Sequence, residues 1–305
     1  MDAHKGSKAE KIFQKTIEEH PEANPVALEY VEHDLGLDGT PAEDLGTTPY
    51  SLGIHFKNCQ NLTIENVRVE LVDPPQGALS YWMNYNIYGE DSDNILIKDV
   101  ILSGGSSSIW VKNCNKAVVS NWAAYNIHGP FPRGQCIQTS YCMDVTIEKF
   151  ICKNQWQYSY TEDAMSLWRT SRSTVTNGVI LGENSPTGVG LMMEESDILD
   201  TDKSTLYVNV SEVYAKGCST CFSTYGGTNV TWDNVGCRDN YCGQRGGRNS
   251  PKPSGLMWYS GWENPSNVVN CCTPTNLKLE NSKFWNTCRM PWIMTNKTKA
   301  PNAWA

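Results

Sequence analysis

The segment IWVKNCNKAVVSNW, residues 109–122, shares its design with IYGEDSDNILIKDV, residues 87–100. Four further segments align beneath them without gaps: IHFKNCQNLTIENV from Ile54, IQTSYCMDVTIEKF from Ile137, MSLWRTSRSTVTNG from Met165 and FSTYGGTNVTWDNV from Phe222. Position one is apolar in all six, and position six is small: Cys59, Ser92, Cys114, Cys142, Thr170 and Gly227. Positions nine and eleven are mostly apolar, as in Leu62 and Ile64, Ile95 and Ile97, or Val145 and Ile147. Each unit therefore reads as a short strand, a small-residue turn and a second short strand.

First positions follow one another at intervals of 33, 22, 28 and 28 residues, then 26 to Leu191, 31 to Phe222 and 34 to Leu256. Constant strand units joined by variable loops are the mark of a solenoid, whose coils bury their faces only against their neighbours. The coil is too long for a hexapeptide β-helix and lacks the leucine-rich signature. Over roughly residues 50 to 300 the pattern resembles the right-handed parallel β-helix of pectin lyase-like proteins, with Ile293 opening a last partial coil. The expected fold is all-β, a right-handed parallel β-helix over residues 49–305. Residues 1–48 are charged, helix-prone and interrupted by proline, and read as an N-terminal helical cap or extension covering an open end of the solenoid.

Bulk properties narrow the function. A formal charge of −8 argues against a nucleic-acid surface or a polybasic membrane patch. No apolar run is long enough to span a bilayer. The opening MDAHKGSKAEKIFQ carries charges where a signal peptide needs its apolar stretch, so export by that route requires a leader removed ahead of this numbering. Twelve cysteines and four Asn-x-Ser/Thr sequons nevertheless fit an extracellular setting. Two of the sequons, at Asn61 and Asn229, fall on position eight, where a turn-forming Asn serves the repeat itself. Cys59, Cys114 and Cys142 share position six and read as an interior stack of thiols. Cys218, Cys221, Cys237 and Cys242 loosely imitate a zinc ribbon, but stacking or disulfides suit a solenoid better. Cys271, Cys272 and Cys288 read as C-terminal disulfide partners.

With position one inside, a strict period of two puts positions three and minus two inside and positions two and four outside. The outward columns then hold Trp110, Gln138, Trp168, Glu194 and Tyr225 among other polar and aromatic residues. Such a solvent-facing stripe suits a sugar chain, because aromatic faces cover pyranose C–H surfaces while polar groups take the hydroxyls. The expected partner is a polysaccharide or oligosaccharide, bound by a monomer or a homotrimer.

The turns entering these strands carry a narrower resemblance, to the polygalacturonase family of glycoside hydrolases. That family places an Asn-Thr-Asp turn, an Asp-Asp pair and a Gly-His-Gly turn before the same strand in three successive coils. The equivalent turns here read Arg133-Gly134-Gln135-Cys136-Ile137, Glu162-Asp163-Ala164-Met165 and Gly188-Val189-Gly190-Leu191. Gln135 stands where the first Asp would be, Val189 replaces the His, and no Arg-Ile-Lys follows. The resemblance implies a polysaccharide-cleaving hydrolase with Glu162 and Asp163 as catalytic carboxylates, joined by Glu194 or Glu195 as the second member of the pair. Gln135 orients a water or a sugar hydroxyl in that reading, and His128, Arg133, Arg169 and Arg172 bind an acidic sugar. Two alternatives stay open. In a lyase, Glu162, Asp163, Glu194 and Glu195 would hold Ca²⁺ beside Arg169 or Arg172 as base, whereas hydrolysis needs no cofactor. In a non-catalytic glycan binder or spike-like module, Glu162 and Asp163 are a solvated turn pair that satisfies backbone N–H groups.

Overall fold

The computed structural model of the chain describes residues 52–71, 85–127, 134–155, 159, 161, 163–182, 189–194, 207–218, 220–225, 229–239, 254–259, 278–285 and 292–294. The strands among these form two parallel sheets, and the chain passes from one to the other in every coil. The first sheet stacks β1 (Leu52–Lys57), β3 (Tyr85–Glu90), β5 (Ser107–Lys112), β7 (Ile137–Ser140), β9 (Asp163–Trp168), β11 (Val189–Glu194), β13 (Thr220–Tyr225), β16 (Ser254–Tyr259) and β19 (Trp292–Met294). The second stacks β2 (Thr63–Glu70), β4 (Leu96–Ser103), β6 (Val118–Tyr125), β8 (Thr146–Lys153), β10 (Ser173–Leu181) and β12 (Val208–Lys216), followed by β14 (Thr231–Asp233) with β15 (Gly236–Arg238) and β17 (Lys278–Glu280) with β18 (Lys283–Trp285). This is a right-handed parallel β-helix, the handedness that crossovers between parallel strands of one sheet adopt. No helix of the described residues is long and apolar enough to cross a membrane.

The repeat alignment is the register of the sheets. Position one runs as Ile54, Ile87, Ile109, Ile137, Met165, Leu191, Phe222 and Leu256, each opposite the next. Position eleven runs as Ile64, Ile97, Val119, Ile147, Val175, Val210, Trp232 and Leu279. Both columns are largely buried in one continuous core. Burying a side chain of this size stabilises by about 1.5–3 kcal/mol, and a coil obtains that only from its neighbours. The last strand shifts the pattern: Ile293 aligns with Trp258, at position three of its coil, rather than with Leu256.

Three columns of left-handed residues bend each coil. Position five holds Asn58, Asp91, Asn113, Tyr141 and Arg169, and position eight holds Asn61, Asn94, Lys116, Asp144, Arg172 and Asn229. Position thirteen holds Asn66, Asp99, Asn121, Lys149, Asn177 and Asn234, and φ lies between 50° and 58° throughout. Asn and Asp tolerate this conformation best, which accounts for their recurrence and for the Asn of two sequons. Position six closes the first turn. Its side chain donates to the carbonyl of position four, as Ser92 does to Glu90 (2.8 Å), Cys114 to Lys112 (3.3 Å) and Cys142 to Ser140 (3.3 Å).

Cys114 and Cys142 are buried free thiols, and Cys59 packs against the same core, as an interior stack requires. Burial pushes the Cys142 thiol up to about 12 and that of Cys114 up to about 11. Among the zinc-spaced cysteines, Cys221 of β13 and Cys237 of β15 form a disulfide, which ties the two sheets together through the solenoid interior. Cys242 and the three C-terminal cysteines lie outside the described residues, as do residues 1–48 and the cap expected there.

One expectation of the strict period fails, and it moves the site. Positions minus one and one both face inward, because the chain bends between them. The minus-one column is Gly53, Asn86, Ser108, Cys136, Ala164, Gly190 and Cys221. Cys136, Ala164 and Cys221 lie in the core, and the Asn86 amide donates to the carbonyls of Val69 (3.3 Å) and Ser103 (3.0 Å) on the second sheet. Position minus two therefore turns outward: the Tyr85 ring packs on Tyr88 and Trp110, both of the outward position two, at 5.3 and 5.2 Å. Adjacent inward residues explain the small side chains at minus one, since a Cβ at Gly53 would stand 2.5 Å from Val69 Cγ1.

Candidate functional site

The outward turn at minus two builds a column of Tyr85, Ser107, Gln135, Asp163, Val189 and Thr220 along one edge of the first sheet, about 4.8 Å apart from coil to coil. Ser107 and Gln135 are tied together. The Ser107 hydroxyl donates to Gln135 Oε1 at 3.2 Å and accepts the backbone N–H groups of Gly134 and Gln135 at 3.2 and 3.3 Å. On the next coil, Asp163 is only 6% exposed and its Oδ1 accepts the N–H of Val189 at 3.0 Å. Asp163 thus satisfies a backbone N–H and is buried rather than solvated.

Gln138 and Ser166, one and two coils beyond Trp110 in the position-two column, lie on the same face as Asp163. The stripe was expected to be solvent-facing along its length, but its centre is closed: Gln138 is 8% exposed, Ser166 3% and Ser140 0%. Trp110 contributes to this by leaning over the next coil, where its Nε1–H donates to Ser140 Oγ at 3.0 Å. On the near coils His55 stacks on Tyr88 at 5.2 Å, and Tyr88 meets Trp110 at 5.5 Å. The Tyr88 hydroxyl donates to Glu90 at 3.3 Å, and burial together with that carboxylate pushes its pKa up to about 12. Lys57 also bonds Glu90, at 2.9 Å, and holds its carboxyl below the usual range.

A second cluster occupies the other end of the same strands. Trp168 meets Tyr141 edge-on at 4.8 Å, and the buried Arg169 guanidinium lies 5.2 Å from the Tyr141 ring centre and 5.8 Å from that of Trp168. Glu194 sits between Trp168 and Tyr225 in the position-four column, and burial pushes its carboxyl above the usual range. Arg172 is engaged at the rim, where it forks onto both oxygens of Asp144 at 2.7 Å.

The structure therefore sets Gln135 and Asp163 on successive coils of one column, with Gln138 on the same face; Trp110 reaches Ser140, which lies opposite Trp168, and Trp168 and Arg169 pack with Tyr141. Asp163 lies opposite Val189 and Glu194 opposite Trp168, at the two ends of the same pair of strands. A pair acting over one glycosidic bond needs carboxylates within about 5–9.5 Å. The placement of Asp163 and Glu194 also parts two members of the expected calcium cluster, and among the described residues no three His, Cys, Asp or Glu side chains converge as a metal site. Glu162, Glu195, His128 and Arg133 lie outside the described residues. Ser107 and Tyr85 escape a sequence reading that assumes unbroken alternation. The small residue preceding each first position is the signal that finds them.

No family model and no curated protein matches the chain. Solved structures do. A GH87 alpha-1,3-glucanase catalytic domain in complex with tetrasaccharides aligns over 81% of this chain and 51% of its own length, at 13% identity and a TM-score of 0.48. A pectate lyase from Bacillus sp. N165 in complex with trigalacturonate aligns over 73% and 80%, at 10% identity and a TM-score of 0.29. An alginate lyase from Paenibacillus sp. str. FPU-7 aligns over 67% and 75%, at 8% identity and a TM-score of 0.25. The chain spans about half the length of the glucanase domain.

Proposed function

We propose that the protein is a polysaccharide-cleaving enzyme, a glycoside hydrolase, whose substrate lies along the outward face of the first sheet over β5, β7, β9 and β11. The observation that carries this reading is Asp163: an ionisable side chain, 6% exposed, on an outward column next to Gln135 of the preceding coil. Burying a carboxylate is costly, and an outer turn with only a structural duty would leave it in water. Fixed by the Val189 N–H, Asp163 supplies one carboxyl of the acid–base pair. Glu162, next to it in sequence, is the candidate for the other. Gln135 and Gln138 present amides that position sugar hydroxyls or the attacking water, and Trp110 stacks on a neighbouring sugar. The disulfide fits action in an oxidising, extracellular setting.

The lyase alternative finds less support, since Arg169 and Arg172 stand six and nine residues beyond Asp163 and Arg172 is spent on Asp144. A panel of polysaccharides assayed for new reducing ends and for unsaturated, ultraviolet-absorbing products separates the readings. Reducing ends without absorbance support hydrolysis. Absorbance lost on chelation identifies a lyase, and binding without either product identifies a glycan-binding module.

A further inference from the structure

We infer that Cys136 and Cys152 form a second disulfide across the solenoid interior, equivalent to the Cys221–Cys237 bond three coils further on. In this structure both are thiols in the core, 0% exposed. The minus-one column of the first sheet faces an inward column of the second, which runs from Val69 through Ala124, Cys152, Ile180 and Ala215 to Cys237. The two columns meet within each coil. In the first, a Cβ at Gly53 would stand 2.5 Å from Val69 Cγ1, and in the seventh the Cα atoms of Cys221 and Cys237 are 5.9 Å apart. Cys136 and Cys152 occupy the same two columns of the fourth coil, with the same sequence separation of 16 residues. The shared register gives them the backbone approach a disulfide needs, about 4.4–6.8 Å between Cα atoms. The Cys136 thiol also aims toward its proposed partner's strand end, since Asn154, two residues past Cys152, donates its amide to Cys136 Sγ at 3.5 Å.

The residues filling these columns separate pairing from chance. From β1 to β15, the other coils place Gly, Asn, Ser or Ala at minus one and Val, Leu, Ala or Ile opposite. Cysteine enters either column in two coils, and in each of them it enters both. Twelve cysteines in 305 residues make that double coincidence rare. Closing the bond oxidises two thiols to one disulfide and releases two protons and two electrons. A small disulfide such as oxidised glutathione takes up both, leaving as two thiols after two successive exchange steps. Cys136 and Cys152 are shut off from solvent once the coils are stacked, so the exchange belongs to folding. The product ties the entry of β7 to β8, in the coil that carries Gln135 and Gln138, as Cys221–Cys237 ties β13 to β15.

The test is disulfide mapping of the full chain refolded with reduced and oxidised glutathione, in a preparation whose Cys221–Cys237 bond has formed. Thiols are alkylated in denaturant, the protein is digested without reduction, and the peptides are read by mass spectrometry. A peptide pair linked through Cys136 and Cys152 is expected, with alkylation lost at both residues. In Cys136→Ser, Cys152 has no partner and alkylates fully. Alkylation of both cysteines in the wild-type preparation overturns the inference. So does a link from either one to a different cysteine, or a Cys152 that stays protected in the variant.

Discussion

Gly178 of β10 lies opposite Phe150 of β8, and the ring of Phe150 tips over the glycine toward the next coil. A Cβ built at Gly178 falls within 3.0 Å of three Phe150 ring atoms, Cζ, Cε1 and Cε2. The ring has no room to withdraw, being fully buried and stacked on Trp122 at 5.5 Å. Gly178→Ala thus sets two effects against each other. Restricting the unfolded chain stabilises by about 0.4–1 kcal/mol, and overpacking the core costs about 1–3 kcal/mol. The steric term wins, for a net loss of about 1–2 kcal/mol, or roughly 2–6 °C in melting temperature. Phe150→Leu removes the obstructing ring atoms, so the double variant recovers part of the loss, with a favourable coupling of about 0.5–3 kcal/mol in a double-mutant cycle read by thermal and chemical denaturation. Additive single effects, within about 0.5 kcal/mol, or a rise in melting temperature for Gly178→Ala alone, would refute the stacking of position fourteen from coil to coil.

The other predictions concern cysteines. Replacing Cys237 by Ala opens a 16-residue link between the sheets and costs about 3 kcal/mol, measured by denaturation under non-reducing conditions. A loss well below 1 kcal/mol would mean the coils are held without it. Burial keeps the Cys142 thiol protonated up to about 12 against an ordinary 9.0. Below pH 9 both folded and unfolded thiols are protonated and nothing changes with pH. Between pH 9 and 12 only the unfolded thiol ionises, so stability falls by an amount approaching about 4 kcal/mol. Cys142→Ser, which retains a donor for the Ser140 carbonyl, flattens that alkaline slope, and an unchanged slope would place the titrating group elsewhere.

Much of the fold is legible because a solenoid repeats its errors as well as its rules. One misplaced coil would have broken the Ile54–Ile87–Ile109–Ile137 column, and none does. The thiol stack and the turn-forming Asn of position eight follow from the same alignment. The site is less legible, for a geometric reason. Period-two alternation holds only within a straight strand, and a bend between positions minus one and one reverses the parity of everything before it. Asp163 can be located from the repeat, but its outward aim depends on Ala164 and its column mates occupying the interior instead. Burial was hidden for a second reason: whether Gln138 and Ser140 meet solvent depends on side chains from neighbouring coils, such as Trp110, and not on their own alternation. The register also shows what linear spacing obscures, that Glu194 stands a full strand length from Asp163.

The most direct test is the rate of reducing-end release from a polysaccharide that the wild-type protein cleaves, compared with Asp163→Asn. The substitution keeps the volume and an oxygen that can still accept the Val189 N–H, so the fold and the melting temperature should hold. Loss of a catalytic carboxyl predicts a fall in rate of about 10²–10⁴-fold with little change in glycan binding. A folded Asp163→Asn protein that cleaves at the wild-type rate would show that this buried carboxylate only braces its turn, and the site would have to lie elsewhere.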